Sequence, residues 1–315
     1  MPAFSASAPG KIILFGEHAV VYGRAAIAVP VLQVRAKAIV TFNPRSSPGL
    51  VKLLAPDIGL ETMLSELPET HPLAAVLWKA ASAMNLSHIP ACTIQVSSNI
   101  PIAGGMGSGA AVSVAILRAF SASLGHLLTD EQVSQLAYEV EVIHHGTPSG
   151  IDNSVITYAR PVYFVKGKPI ETLQVKRAFS LVIGDTGMQS STSSVVDDMR
   201  HAWEKASDHF EGLFDKVGEI AASGRKSIES GSIETLGPMM DENHDLLRKM
   251  GVSSSELDML VDVARSAGAL GAKLSGAGRG GNMIALVSPE NSGAVSKALE
   301  QAGATHTITT EVRET

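Results

Sequence analysis

Asn99-Ile100-Pro101-Ile102-Ala103-Gly104-Gly105-Met106-Gly107-Ser108-Gly109-Ala110-Ala111 is the stretch around which the chain is organised. Four glycines fall within six residues, and Val112, Val114, Ile116, Leu117 and Phe120 follow. That run is apolar on nearly every face, which predicts a helix buried all round. Ser108 is its expected N-cap. A glycine loop ending at a helix N-terminus offers unpaired backbone N–H groups and the positive end of a dipole, so it suits phosphate. Side chains at these positions would keep phosphate oxygens from the backbone. A glycine-rich turn before a core helix would account for the same residues without any ligand.

The whole chain bounds the choices. Its 315 residues suffice for two domains or one large one, and 45% apolar content supplies a sizeable core. Only 18% of residues are charged and the net charge is −6, which argues against a nucleic-acid surface. An acidic protein that binds phosphate must concentrate its few cations locally. The single cysteine, Cys92, excludes an internal disulfide and a multi-cysteine metal site. It sits in a predicted strand over 91–97 and reads as a small buried hydrophobe. No secretory signal pattern and no apolar run long enough to span a bilayer are found, so a soluble cytoplasmic protein is expected, with neither nucleic acid nor membrane as partner.

Along the chain, 12–15 reads as a short buried strand and 16–23 as a loop. Strands are expected over 26–30 and 31–42, with a turn cluster at 43–48. Residues 56–72 read as irregular because of Pro56, Pro68 and Pro72. Residues 73–84 read as a helix. Thr129 to Gln132 fits a capping box, and Val133, Leu136, Ala137, Val140 and His144 mark one face of the helix behind it. Glu141 falls about a quarter-turn off that stripe. Strands are expected at 161–165 and 179–185. From about 190 to 268 the pattern is helical and polar, broken near Gly231 and Gly251. A second glycine loop at 273–281, a strand at 283–287, a helix at 290–302 and a strand at 305–309 close the chain. The shift from β-rich to α-rich predicts an α+β, two-lobed fold, with lobes at 1–185 and 186–315.

Three stretches combine glycines with reactive side chains: 9–23, 101–111 and 273–281. A fourth, 141–152, carries Glu141 and Asp152. Phosphate-holding loops, together with carboxylates able to hold Mg²⁺ or take a proton, are what a phosphoryl transferase needs. Mg²⁺ often uses one or two protein oxygens, and phosphates and water supply the rest. No G-x-x-x-x-G-K-[ST] occurs, which excludes a P-loop kinase. Gly105 to Ala110 matches G-x-G-x-x-A, but Pro101 and several residues separate it from the preceding strand, where a dinucleotide-binding turn would be tight.

These stretches, in this order, resemble the superfamily of galactokinases, homoserine kinases, mevalonate kinases and phosphomevalonate kinases. Pro9-Gly10-Lys11-Ile12-Ile13-Leu14-Phe15-Gly16-Glu17-His18-Ala19-Val20-Val21-Tyr22-Gly23 resembles the first motif of mevalonate kinases most closely. Galactokinases share the Gly-Glu-His and continue differently, and phosphomevalonate kinases usually lack that His. Residues 101–111 resemble the ATP-phosphate motif. Glu141 with 145–153 resembles the segment bearing the metal-binding Glu and the catalytic Asp, and 273–281 resembles the third motif.

The resemblance implies a two-lobed kinase fold with a cleft between the lobes. It implies ATP-dependent phosphorylation of (R)-mevalonate at its primary hydroxyl, with the N-terminal lobe binding ATP and Mg²⁺ as cofactor. Asp152 would be the general base, and Lys11 would sit beside it and the transferring phosphate. Glu17 and His18 would face the acceptor, His18 donating to a carboxylate and Glu17 orienting a loop partner. Gly104, Gly105, Met106, Gly107, Ser108, Gly109 and Ala110 would hold the nucleotide. Glu141 and Ser108 would bind the metal. The family loop usually carries two serines before its Ala pair, whereas this chain has Ser108-Gly109. Ser108 in a shifted position and water in its place are both open. Mevalonate and ATP are the expected partners, and a homodimer is allowed for.

Each residue also has an ordinary reading. Asp152 would be a helix N-terminal carboxylate, Lys11 a surface lysine, His18 a solvated loop histidine and Glu141 a helix-rim carboxylate. His144 and His145 near Glu141 suggest no third ligand, so magnesium is preferred. Arg279 reads as surface, Ser190 to Ser194 as a helix cap, and Arg118 has no assigned role. The rival classes are another kinase of the superfamily, a nicotinamide-dependent oxidoreductase using 105–110, and a non-catalytic nucleotide sensor.

Overall fold

The computed structural model describes residues 3–101, 104–145, 148–188 and 192–314. The chain is mixed α/β, with a β-rich N-terminal part and an α+β C-terminal part. Its contacts sort it into two compact units built from interleaved stretches. The first takes 1–10, 34–100 and 107–159, and the second takes 11–33, 101–106 and 160–315. A single cut at residue 185 does not reproduce these units. The reason is two long paired strands, β1 (Ala3–Phe15) and β2 (Ala25–Phe42), each of which contributes to both.

In the first unit, residues 36–42 of β2 pair antiparallel with β5 (Cys92–Ser98). β5 runs parallel to β3 (Val51–Ala55), which pairs antiparallel with β4 (Leu60–Met63). β4 lies in the stretch read as irregular, and Pro56 and Pro68 flank the strand without entering it. Cys92 is buried, which pushes its thiol up to about 11 and leaves it inert at neutral pH.

Against β5 lies α2 (Ser108–Ser123), with α1 (Pro72–Ala83), α3 (Asp130–His145) and α4 (Ile151–Tyr158) packed around it. Ala110, Ala111, Val114, Ala115, Ile116, Leu117, Ala119 and Phe120 are all buried, so α2 is enclosed as its composition predicts. Arg118 gains a role. Its guanidinium donates to Asp130 at 2.6 Å and to the Thr157 carbonyl at 2.7 Å, tying α2 to the start of α3 and the end of α4. The capping box forms: Thr129 N–H donates to Gln132 Oε1 at 2.9 Å, and Gln132 N–H donates to Thr129 Oγ1 at 3.3 Å.

In the second unit, residues 25–28 of β2 pair antiparallel with β6 (Val162–Val165), and β6 with β7 (Glu171–Thr172). The two strands expected at 26–30 and 31–42 are therefore one. Pro30 is tolerated because it falls between the stretch paired with β6 and the stretch paired with β5. A separate antiparallel sheet has the order β11-β8-β10-β9, from β8 (Phe179–Asp185), β9 (Gly271–Ser275), β10 (Asn282–Val287) and β11 (His306–Val312). The helices of this unit are α5 (Thr192–Lys205), α6 (Ser207–Ser230), α7 (Leu236–Lys249), α8 (Ser255–Ser266) and α9 (Ser292–Gln301). Gly231 and Gly251 mark breaks as expected, and Gly231 caps α6 in the left-handed conformation.

β9 is an edge strand, and helix α7 closes its free edge with side chains. Asp241 Oδ1 accepts from Ala272 N–H at 2.9 Å, and His244 Nδ1 accepts from Leu274 N–H at 3.3 Å. Two of the backbone N–H groups that would recruit another strand are thereby satisfied within the chain.

Candidate active site

The first unit supplies Ser108, Gly109, Ala110, Glu141 and Asp152. Gly107, with φ 72°, is the N-cap of α2, so Ser108 is its first helical residue and not the cap as expected. The left-handed turn at Gly107 sets the entry angle of the helix and leaves the Ser108 hydroxyl outside the capping role. Gly109 is exposed, and a Cβ placed on it would come within 3.5 Å of Glu141 Oε1. The Glu141 carboxylate therefore faces the first turn of α2. Asp152 lies in the first turn of α4, half-buried. Its neighbour Asn153 is buried and donates to Ser134 O at 3.1 Å and Ser134 Oγ at 2.9 Å, pinning α4 to the helix that carries Glu141.

Oxygen donors such as the Glu141 carboxylate and the Ser108 hydroxyl suit a hard cation such as Mg²⁺. Among the described residues no group of three His, Cys, Asp or Glu could hold a metal alone, so phosphate and water would complete the shell. The side chains of His144 and His145, and residues 146 and 147, lie outside the described residues, as does part of the Ser190 to Ser194 cap.

The second unit supplies Lys11, Glu17, His18 and the loop from Gly104 to Met106. Lys11 is buried, and its N–H donates to the Met106 carbonyl at 3.0 Å, joining the first motif to the glycine loop. Met106 is buried and anchors that loop, while Gly105 is exposed at φ 68°. At one end of the four-stranded sheet, Asn282 stands opposite Asp185 and Ser275, and its amide donates to the Gly104 carbonyl. Ser275 Oγ donates to Ile13 O at 2.8 Å and accepts from Ile13 N–H at 3.1 Å. The third motif thus braces the first. Gly278 is obligatory there, since at φ 86° any Cβ would fall on the Val252 carbonyl.

The loop after β1 differs most from expectation. Glu17 does not project as a free acid. Its side chain is wholly buried against Lys273, which sits in β9 and not in a loop. Burial pushes the Glu17 carboxyl up and the Lys273 ammonium down, and their attraction opposes both shifts. Lys273 carried no assigned role in the sequence. The signal was a lysine between Ala272 and Leu274 in an apolar run, where an unpaired charge could not stay buried. His18 donates from Nε2 to the Ala277 carbonyl at 2.8 Å. A carbonyl only accepts, so Nε2 carries the proton and cannot also donate to a substrate carboxylate. At φ 60° and ψ −51°, with Ala19 N–H donating to Glu17 O at 2.6 Å, His18 centres a γ-turn of the rare positive-φ kind. Strain of this sort costs on the order of 1–3 kcal/mol and persists only where the surroundings enforce it.

The loop's far end is anchored as well. Tyr22 stacks on Phe214 of α6 at 4.2 Å, and Arg24 pairs with Glu211 and with Asp215, the latter at 2.8 Å. Arg279 is held by Asp198 of α5, so it is more than a bare surface charge.

Burial lowers the His18 imidazole to about 4 and the His244 imidazole to about 4. An unfolded chain takes up these protons near the ordinary value of about 6.5, well before the folded chain does. Stability present above that value is therefore lost as pH falls from about 6.5 towards 4, by on the order of 3 kcal/mol for His18, with His244 adding in the same direction. The urea midpoint is expected to drop clearly between pH 7 and pH 5. An unchanged midpoint would mean that these rings are not buried neutral.

Residues 74–160 match the family described as GHMP kinases N terminal domain, and residues 225–305 match GHMP kinases C terminal. A mevalonate kinase of Thermococcus gammatolerans is 38% identical, aligned over 96% of this chain and 95% of the relative. A crystal structure of the L. major mevalonate kinase in complex with R-mevalonate superposes with a TM-score of 0.84 at 29% identity, covering 99% of this chain and 96% of that one. The Methanococcus jannaschii mevalonate kinase gives 0.84 at 25% identity over 100% and 99% of the two chains. The glycine-loop kinase fold and the near full-length relatives agree, and the chain belongs to the GHMP kinases, in their mevalonate kinase family. A nicotinamide-dependent reading of 105–110 is set aside with that finding. Among the described residues no helix is long and apolar enough to cross a membrane.

Proposed function

We propose that this chain transfers the γ-phosphoryl group of ATP to the primary hydroxyl of (R)-mevalonate, giving 5-phosphomevalonate and ADP. The observation that carries the reading is its near full-length likeness to mevalonate kinases, one of them crystallised with R-mevalonate. In the reaction the acceptor oxygen bonds to the γ-phosphorus, and the bond from that phosphorus to the β–γ bridging oxygen breaks. Asp152 takes the hydroxyl proton. Lys11 offsets the charge that develops between acceptor oxygen and phosphoryl group. Backbone N–H groups over 104–110 cradle the nucleotide phosphates, with exposed Gly105 and Gly109 leaving the approach clear. Glu141 and Ser108 would hold Mg²⁺, which when bound neutralises charge on the β- and γ-phosphates. His18 faces the acceptor as a neutral ring, its remaining nitrogen able to accept from a hydroxyl. By this reading residues 1–185 hold the nucleotide.

The test is ADP release across mevalonate, phosphomevalonate, galactose, homoserine and shikimate. Mevalonate is expected to give the highest kcat/KM. Preference for a sugar or an already phosphorylated acceptor would transfer the chain to another activity of the superfamily.

Glu141→Gln removes one anionic ligand, so the Mg²⁺ concentration for half-activity should rise and productive ATP binding weaken. An unchanged Mg²⁺ dependence would leave Glu141 a rim carboxylate. Ser108→Ala separates the two ligand readings: an altered Mg²⁺ dependence assigns the hydroxyl to the metal, and an unaltered one assigns the position to water.

A further inference from the structure

The γ-turn at His18 is clamped on both sides by one short segment of chain. Glu17, before the turn, is gripped by the Lys273 ammonium, and His18 itself donates to the carbonyl of Ala277. Lys273 also donates to the Leu274 carbonyl at 2.6 Å, so its ammonium is held in place by its own strand. The second oxygen of Glu17 is buried and has no hydrogen-bond partner among the described residues. Lys273 is thus the largest of the attractions on the Glu17 carboxylate, ahead of a backbone hydrogen bond and the charge of Lys11.

Fold stability gives little reason for such a pair. Both side chains are fully buried, and two buried charges are often replaced by apolar groups of similar volume at no loss of stability. What the pair does have is position. It lies directly before the strained residue, and such strain persists only where the surroundings enforce it.

We propose that Lys273 is a positioning residue for the acceptor site: through Glu17 it holds the strained turn that sets the His18 ring. This rests on the reading of His18 as an acceptor-side residue. Lys273 touches no reacting atom. Its contribution is the geometry of the turn, and a displacement of about 1 Å at a substrate-positioning group can cost on the order of 100-fold.

The experiment compares wild type with Glu17→Met/Lys273→Met, which removes both charges at similar volume. Melting temperature, kcat, acceptor KM and ATP KM are measured with whichever acceptor the wild-type enzyme turns over. The variant is expected to melt near wild type, to raise acceptor KM by about 10-fold or more, and to keep ATP KM within about twofold. Near-wild-type melting with both KM values and kcat unchanged overturns the proposal, because the pair is then only structural. If the double variant does not fold, Lys273→Arg decides, since it keeps the charge but forces a longer forked group into a closed space. The same acceptor-side KM rise supports positioning, and unchanged kinetics overturns it. Failure of the mevalonate reading shows separately, as wild-type preference for another acceptor.

Discussion

Replacing Asp152 by asparagine is expected to lower kcat by about 10²–10⁴-fold, the range typical of a well-placed general base. ATP and mevalonate binding should stay near wild type. Asparagine keeps the size and can still accept a hydrogen bond, but it cannot take the hydroxyl proton at neutral pH. The fold should tolerate the change, because Asn153 pins α4 to α3. Phosphoryl transfer passes through a loose transition state in most analyses, so the proton can leave late and the loss can fall at the low end of the range. Near-wild-type kcat, with chemistry shown to be rate-limiting, would remove Asp152 from the mechanism and make 148–153 structural.

Lys11→Met should cost at least as much. If proton removal is late, more of the barrier lies in charge developing on the acceptor oxygen and phosphoryl group, and a fixed cation acts on that charge directly. Lys11 suits this role because its backbone is bonded to the Met106 carbonyl, on the loop that would hold the phosphates. Methionine keeps most of the buried stem and removes the charge. The loss should appear in kcat and kcat/KM together, as for an interaction made only in the transition state. A fall in ATP affinity with unchanged kcat would instead make Lys11 a ground-state phosphate ligand.

Local features were legible in the sequence where one residue type has one physical use. The run from Ala110 to Phe120 has no polar face, and α2 is enclosed on all sides. Thr129 and Gln132 form their capping box, and Gly231 and Gly251 break the helical region where they stand. What stayed hidden depends on contacts distant along the chain. Nothing near Pro30 says that β2 runs unbroken from Ala25 to Phe42, because pairing partners decide that. Glu17 and Lys273 are 256 residues apart, so the partner that Glu17 grips could not be read from either stretch alone. Ser108 looked like a helix cap by residue type, but Gly107, free to adopt positive φ, took the position. The interleaving of the two units follows from β1 and β2 running through both, which no shift in composition marks.

The central claim is a single phosphoryl transfer from ATP to the primary hydroxyl of (R)-mevalonate. It is tested most directly by incubating the wild-type protein with ATP, Mg²⁺ and (R)-mevalonate and identifying the product by ³¹P NMR and mass spectrometry. The account predicts one phosphomonoester on the primary carbon, formed in step with ADP and about 10²–10⁴-fold more slowly when Asp152 is replaced by asparagine. Inorganic phosphate as the only new species, or a phosphate on the tertiary hydroxyl, would contradict it.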